Sequence, residues 1–203
     1  MSNQLDINAK LADPVLQFTD MRLRQISAPV SAAEFDSVWL RDWVSRLDYS
    51  RVTFGGIGIA APQVGLFSRL IVIAIPAHER VGFGQIAEVP LQALVNPEIV
   101  WYSEDMRKAT EGCLSVKGYE GFVVRPGKIG VVAYSPEGKR LEFEADSLYA
   151  RVLQHEIDHL DGILYPDRIT TLRDLRKVSP VAPDDPVLNF NKLIPRPEAG
   201  LVM

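Results

Sequence analysis

Apolar residues that recur at steps of three and four positions predict two helices in this chain. The first pattern spans about residues 31–49 and is amphipathic, because charged residues stand between its apolar members. Those members are Phe35, Val38, Trp39, Trp43 and Leu47. We expect this aromatic stripe to face the core.

The second helical pattern spans about residues 147–162. Leu148, Val152, His155 and His159 share one face at helical spacing. The two histidines continue a row of apolar residues, so we expect both imidazoles to be buried.

Short apolar runs and alternation of apolar with polar residues predict strands between the two helices. The predicted strands are residues 69–75, 91–95, 99–102, 122–126 and 129–134. Leu141, Phe143 and Ala145 alternate with glutamates, which predicts a hairpin partner for the last of these strands. Residues 78–90 are predicted to form a polar loop, and residues 167–177 are predicted to form a short helix.

The second helix carries a pattern that is typical of a catalytic metal site. Two histidines four residues apart lie on one face of a helix and can bind the same ion. Glu156 follows His155 directly, where its carboxylate can reach a water molecule on the metal and act as a general base. Two ordinary core histidines are the alternative, but a buried glutamate between them would then have no reason to be there.

The composition indicates one globular domain and argues against several classes of partner. The chain has 203 residues, of which 47% are hydrophobic and 24% charged. A net charge of -4 argues against binding to nucleic acid or to an anionic membrane. Neither a secretory signal nor an apolar stretch long enough for a bilayer is present, so we expect a cytoplasmic protein.

The distribution of prolines divides the chain into two parts. Five prolines interrupt the sequence beyond Ser179. We therefore assign residues 1–178 to the catalytic domain and residues 179–203 to a Pro-rich tail that is not a separate domain.

A catalytic metal needs a third protein ligand besides the two histidines. A metzincin protease would have histidine where Tyr165 stands, and a thermolysin-like enzyme would have to use Glu198 in the tail. Cys113 remains, and its thiolate would suit zinc or ferrous iron. The alternative for this single cysteine, which cannot form a disulfide within the chain, is an inert buried side chain.

Three stretches together resemble the three motifs of the peptide deformylase family, in order and in spacing. They are GIGIAAPQ at residues 56–63, EGCLS at 111–115 and QHEIDH at 154–159. By itself the glycine-rich stretch would be weak evidence for a nucleotide site, and Pro62 argues against one. The resemblance implies a compact, single-domain α+β fold with antiparallel strands packed around the central HExxH helix.

The resemblance also implies the reaction and the roles of particular residues. The reaction is hydrolytic removal of the formyl group from N-formylmethionine on newly synthesised polypeptides. Cys113, His155 and His159 would bind one divalent ion, Glu156 would transfer the proton, and Gln63 and the Leu114 N–H would stabilise the oxyanion. The backbone at Gly58 would pair with the peptide substrate. Ile57, Leu148 and Val152 are candidate walls of the methionine pocket, with ordinary core packing as the alternative for each.

For the cofactor, the resemblance implies ferrous iron, with zinc, nickel or cobalt as ions that can occupy the same site. The implied partners are formyl-Met nascent peptides and, transiently, the ribosome, with no direct role for nucleic acid or membrane. The prolines after Ser179 argue against the basic helix by which some family members dock on the ribosome.

Some positions depart from the family pattern, and two other functions stay open. Ile59 replaces a leucine, Lys117 replaces a proline, and Glu120 is expected to make the rim of the site acidic. A metallopeptidase would cleave peptide bonds without needing a formyl group. A metal-stabilised binding module would use four protein ligands.

Overall fold

A computed structural model describes residues 12–80 and 83–178. The Pro-rich tail predicted at residues 179–203 lies outside these ranges. Within them, the two α-helices are α1 (Val38–Thr53) and α2 (Ser147–Leu160). Neither has the length and apolar character that are needed to cross a bilayer.

Ten strands are present in the described ranges, and all pair in antiparallel fashion. In chain order they are β1 (Gly58–Ala60), β2 (Leu70–Ile75), β3 (His78–Arg80), β4 (Gly84–Ile86), β5 (Val89–Tyr102), β6 (Met106–Gly112), β7 (Tyr119–Pro126), β8 (Lys128–Tyr134), β9 (Arg140–Asp146) and β10 (Leu175–Lys177). They form a five-stranded sheet in the order β1-β2-β5-β8-β9, a three-stranded sheet β10-β7-β6, and a β3-β4 hairpin. The α+β architecture expected from the sequence is confirmed.

Helix α2 lies against the five-stranded sheet and also contacts β7. All but two of its fourteen residues are buried, as in a helix that is surrounded by its own protein. Leu148, Leu153 and Leu160 share a core cluster with Ile71 and Ile129 of the sheet. The expected burial of both helix histidines is confirmed, because His155 is 9% and His159 1% exposed.

Helix α1 begins later and ends later than the sequence predicts. Asp36 has a φ of +55°, which a right-handed helix cannot contain, and the Ser37 side chain then caps the helix by accepting a hydrogen bond from the Leu40 N–H. The aromatic stripe is also less buried than expected. Val38 is 76% and Trp39 37% exposed, so only part of the stripe faces the core.

Two predictions of local structure are wrong because the pairing that decides them is not visible locally. The loop predicted at residues 78–90 contains the β3-β4 hairpin. The helix predicted at residues 167–177 is replaced by short 3-10 turns and by β10, which pairs with the start of β7. Arg176 of β10 forms an ion pair with Glu120 of β7, whose side chain is only 2% exposed. Glu120 is therefore buried and neutralised, and does not make the rim of the site acidic.

Candidate metal centre and active site

A single cavity between β1, α2 and the end of β6 collects almost all of the residues that the sequence nominates. Nine of the ten nominated residues line it: Ile57, Gly58, Gln63, Cys113, Leu114, Leu148, Val152, His155 and Glu156. The tenth, His159, lies buried on the same helix one turn beyond His155. Residues from three distant parts of the sequence thus meet at one place.

Three ligand atoms, one each from Cys113, His155 and His159, lie within 4.8 Å of one another. The Cys113 Sγ is 3.2 Å from His159 Nε2. The two imidazole rings meet edge to face, with centroids 5.1 Å apart. Helix α2 supplies both rings from successive turns, and the turn after β6 brings the sulfur to them.

Glu111 of β6 orients the first of these imidazoles. Its Oε2 lies 2.9 Å from His155 Nδ1, which leaves Nε2 as the ring nitrogen available for a metal. Burial lowers the pKa of His155, but hydrogen bonds with Cys113 and Glu111 outweigh it and raise that pKa well above its ordinary value. Surroundings that favour a positive charge on this ring also favour a cation bound to it.

A buried ionic network holds Glu111 in place. Its carboxylate accepts hydrogen bonds from Arg125 of β7 at 2.6 and 2.9 Å and from Arg151 of α2 at 2.7 Å. Arg125 also donates to Asp158 of α2 at 2.8 Å, so the network returns to the metal-binding helix. Burial alone would raise the pKa of Glu111, but Arg125 and His155 outweigh burial and lower it.

The sequence motifs do not indicate the partners in this network. Arg125, Arg151 and Asp158 are not among the ten residues nominated from the sequence, although all three are buried. A signal was present: Arg151 and Asp158 lie four residues before and three after His155, which places them near the same face of α2. Charges on the buried face of a helix require partners.

Glu156 has the surroundings of a proton carrier. Its side chain is buried, and its Oε2 has no hydrogen-bond partner among the described residues. Burial raises the pKa of this carboxyl to about 7. The α-carbon of Gly58 lies against the carboxylate, since a Cβ built there would be 2.5 Å from Glu156 Oε1.

Gln63 is held rigidly beside the cysteine. It belongs to a 3-10 turn, Ala61–Val64, that follows β1 directly and ends at Gly65 with a φ of +83°. Its Oε1 accepts a hydrogen bond from the Ala60 N–H at 2.8 Å, which directs the amide nitrogen away from β1. That nitrogen lies 3.1 Å from Ser115 Oγ and 3.6 Å from Cys113 Sγ. The amide therefore presents a donor next to the three ligand atoms.

The residues nominated for substrate binding lie on an end strand of the five-stranded sheet and in the wall of the cavity. Strand β1 is the end strand of the five-stranded sheet, with β2 on one side, so its other edge is not used by that sheet. Leu148 and Val152 line the cavity and also belong to the main core cluster. Ile57 packs against the same cluster while it lines the cavity. For these three residues, core packing and a place in the pocket wall coexist.

The donor set fits a divalent metal ion. One thiol and two imidazoles are the ligands that zinc and ferrous iron accept, and three protein ligands leave a fourth position for water or substrate. The Glu156 oxygen that lacks a partner gives this buried site an acceptor for the proton of such a water.

Comparison with known proteins agrees with the geometry. The sequence pattern of the family described as Polypeptide deformylase matches residues 12–174. Peptide deformylase 1 of Bordetella pertussis is 39% identical over 163 residues, which are 80% of this chain and 89% of that protein. Peptide deformylase 2 of Pseudomonas syringae pv. tomato is 37% identical over 170 residues, 84% of this chain and 94% of that protein.

A solved structure shows the same fold. It is the Met-Ala-Ser-bound class I type b peptide deformylase of Acinetobacter baumannii, which superposes with a TM-score of 0.74 at 36% identity. The match covers 79% of this chain and 99% of that one. The family resemblance seen in the three sequence motifs is confirmed, and the chain belongs to the peptide deformylase family.

Proposed function

We propose that this chain removes the N-formyl group from N-formylmethionine at the start of newly synthesised polypeptides and releases formate. The observation that carries the proposal is the meeting of Cys113, His155 and His159 beside the buried Glu156 carboxylate, in one cavity with Gln63. A relative of known structure, the Acinetobacter baumannii enzyme, has Met-Ala-Ser bound, a peptide that begins with methionine.

Cys113, His155 and His159 would hold the metal ion, and we propose ferrous iron, with zinc, nickel or cobalt as ions that can replace it. When bound, a divalent ion lowers the pKa of a water molecule enough for attack on a carbonyl carbon near neutral pH. Glu156 would take a proton from the attacking water at its carboxylate and deliver it to the amine nitrogen as the bond between carbon and nitrogen breaks. Water and the formamide thus become formate and a free amine.

Two donors stabilise the negative charge that develops on the formyl oxygen. The Gln63 amide is positioned by its hydrogen bond from Ala60, so it need not reorganise during the reaction. The Leu114 N–H lies in the turn that carries Cys113 and completes the pair. Preorganised donors of this kind stabilise the transition state more than the substrate.

The free edge of β1 gives the peptide a place to bind. An extended chain can add to a sheet edge through backbone hydrogen bonds, which do not depend on the sequence of the bound peptide. Gly58 lies on this edge, and Ile57, Leu148 and Val152 would surround the methionine side chain. Selectivity for the first residue, with tolerance for those that follow, suits an enzyme that must process many different nascent chains.

The proposal also assigns the cellular setting and the extent of the catalytic unit. Formylated nascent chains are produced during translation, so we place the reaction in the cytoplasm, with transient proximity to the ribosome. Residues 1–178 would form the catalytic domain, and residues 179–203 an appended tail. The family match at residues 12–174 supports this division.

Formate release tests the function directly. The full chain, purified without oxygen and with its metal content measured, is given formyl-Met-Ala-Ser and unformylated Met-Ala-Ser. We expect formate from the first peptide and no cleavage of the second. Glu156→Ala is the matched control, and it should keep its metal while losing turnover. Cleavage of a peptide bond in either substrate would instead favour a metallopeptidase, and metal binding without any turnover a binding module.

A further inference from the structure

The turn that carries Cys113 contains a hydrogen bond to the sulfur itself. The backbone N–H of Ser115 donates to Cys113 Sγ over 3.4 Å. Hydrogen bonds to a thiolate reduce the electron density that the sulfur gives to a metal, so outer partners of this kind tune metal sites. This N–H belongs to the peptide group that joins Leu114 to Ser115.

The carbonyl of the same peptide group is also hydrogen-bonded. Gln17, in the segment before the first helix, donates from its Nε2 to the Leu114 carbonyl oxygen over 3.2 Å. One amide group therefore receives a hydrogen bond at its oxygen and gives one at its nitrogen to the sulfur. Hydrogen bonds linked through a common amide strengthen each other, by roughly 10–30% per bond.

The orientation of the Gln17 amide is determined by its other partners. Its nitrogen also donates to the Val15 carbonyl at 3.1 Å, and its oxygen accepts from the Lys117 N–H at 3.4 Å. The two carbonyl partners can only accept hydrogen bonds, and the N–H partner can only donate one. The oxygen and nitrogen of the Gln17 side-chain amide can therefore be assigned in only one way.

The backbone around Gln17 is fixed to both halves of the active site. The Leu16 N–H donates to the Gln63 carbonyl at 2.8 Å, and the Phe18 N–H donates to the Ser115 carbonyl at 2.7 Å. This segment thus joins the turn that carries Gln63 to the turn that carries Cys113.

We propose that Gln17 is a positioning residue for the metal centre, which acts through the peptide group between Leu114 and Ser115 on the Cys113 sulfur. The inference rests on the metal centre of the proposed function. Gln17 does not contact the three ligand atoms. Gln17 keeps the Ser115 N–H polarised and directed at the Cys113 sulfur. It thereby determines both the position of the sulfur and the electron density that the sulfur donates to the metal.

Cobalt-substituted protein tests this inference by a spectroscopic signal that is independent of turnover. The sulfur-to-cobalt charge-transfer band reports the electron density on a bound thiolate. In Gln17→Met, which has similar size and no hydrogen bonds, we expect the band to move to longer wavelength. Because the turn then holds the sulfur less firmly in place, we also expect about tenfold weaker retention of cobalt against a chelator, the lower end of the effect typical of outer partners.

Two further variants separate the donor from the rest of the side chain. Gln17→Glu keeps the acceptor for the Lys117 N–H but at neutral pH cannot donate to the Leu114 carbonyl, so it should shift the band as Gln17→Met does. The control is Gln25→Met, which changes an exposed glutamine a few residues further along the chain. It should leave both the charge-transfer band and the retention of cobalt unchanged.

The outcomes are distinguishable. An unchanged band and unchanged cobalt retention in both Gln17 variants, with or without a loss of thermal stability, would overturn the inference and leave the proposed function intact. Absence of any thiolate band in the parent protein would instead overturn the Cys113 metal centre, and the inference with it.

Discussion

The α-carbon of Gly58 packs directly against the carboxylate of Glu156, so closely that a Cβ at residue 58 would lie 2.5 Å from Glu156 Oε1 and 2.9 Å from Val152 Cγ1. The sheet edge proposed to bind the peptide and the group proposed to move the proton are therefore in contact. No side chain fits between them, so glycine at this position keeps the carboxylate where it is.

Gly58→Ala should displace the Glu156 carboxylate, because the end of a glutamate side chain moves more easily than the backbone. We expect the metal content to be retained and kcat to fall about a hundredfold, the order expected for a catalytic group misplaced by about 1 Å. Steady-state kinetics and metal analysis measure both.

A second measurement separates this clash from simple blocking of the substrate. Gly58→Ala should lower the free energy of unfolding in the parent protein and lower it less in a Glu156→Ala background, where the carboxylate is absent. Equal losses in the two backgrounds would show that the contact with Glu156 is not the cause.

Gln63 should contribute to the rate rather than to substrate binding. Replacing it with methionine removes the donor and keeps the length of the side chain, and loss of one oxyanion donor typically costs about 10²–10³-fold in kcat. We expect kcat to fall in this range with little change in KM. Ser115→Ala, which removes only the hydroxyl that accepts from Gln63, should have a much smaller effect. A change confined to KM would assign Gln63 to substrate binding.

The buried network around Glu111 should dominate the electrostatic part of stability. Arg125→Met leaves Glu111 and Asp158 without their shared partner, and breaking a buried ion pair from one side costs about 3–5 kcal/mol. The matched control is Arg140→Met, because Arg140 and Glu142 form a pair with both side chains more than half exposed. That control should change stability by no more than about 0.5 kcal/mol.

Denaturant unfolding of both variants, with metal content measured at the same time, checks this prediction. Because Glu111 orients His155, the Arg125 variant should also bind metal more weakly. Similar stability of the Arg125 and Arg140 variants would mean that the network has little energetic weight.

The sequence predicted those parts of the molecule that depend on local patterns. Helical spacing predicted the burial of His155 and His159, and alternation predicted the hairpin of β8 and β9. The motifs nominated residues from three separated stretches, and the structure places them around one cavity. Local spacing and motif order predict these features because the residues of each stretch belong to one helix, strand or turn and share its geometry.

Features that depend on distant contacts could not be predicted in this way. The strand β10 exists because three residues pair with β7, more than fifty positions earlier. The start of α1 depends on the positive φ of Asp36, whose N–H donates to the Pro136 carbonyl from another part of the chain. The spacing along α2 places Asp158 near the buried histidine face, but only the folded chain shows that its partner is Arg125 of β7.

The identity of the metal should decide how the protein behaves in air. Cys113 offers a soft sulfur ligand beside two imidazoles, and by affinity alone zinc would compete well with ferrous iron at such a site. Iron next to a thiolate can be oxidised by oxygen, and the thiol can then be converted to sulfenic or sulfinic acid, which removes a ligand. We therefore expect the iron form to lose activity in air over hours and the nickel form to keep it.

Reconstitution of the metal-free protein separately with iron, nickel and zinc tests this prediction. Formate release is followed with and without air, and the mass of the intact chain shows whether Cys113 has gained oxygen. Cys113→Ser should bind metal more weakly and lose most activity, because a hydroxyl is a much poorer ligand than a thiolate. Metal binding by Cys113→Ser as tight as that of the parent would exclude the sulfur as a ligand. An iron form that stays active in air with Cys113 unmodified would contradict this prediction, because the half-buried thiol lines the cavity and is within reach of oxygen.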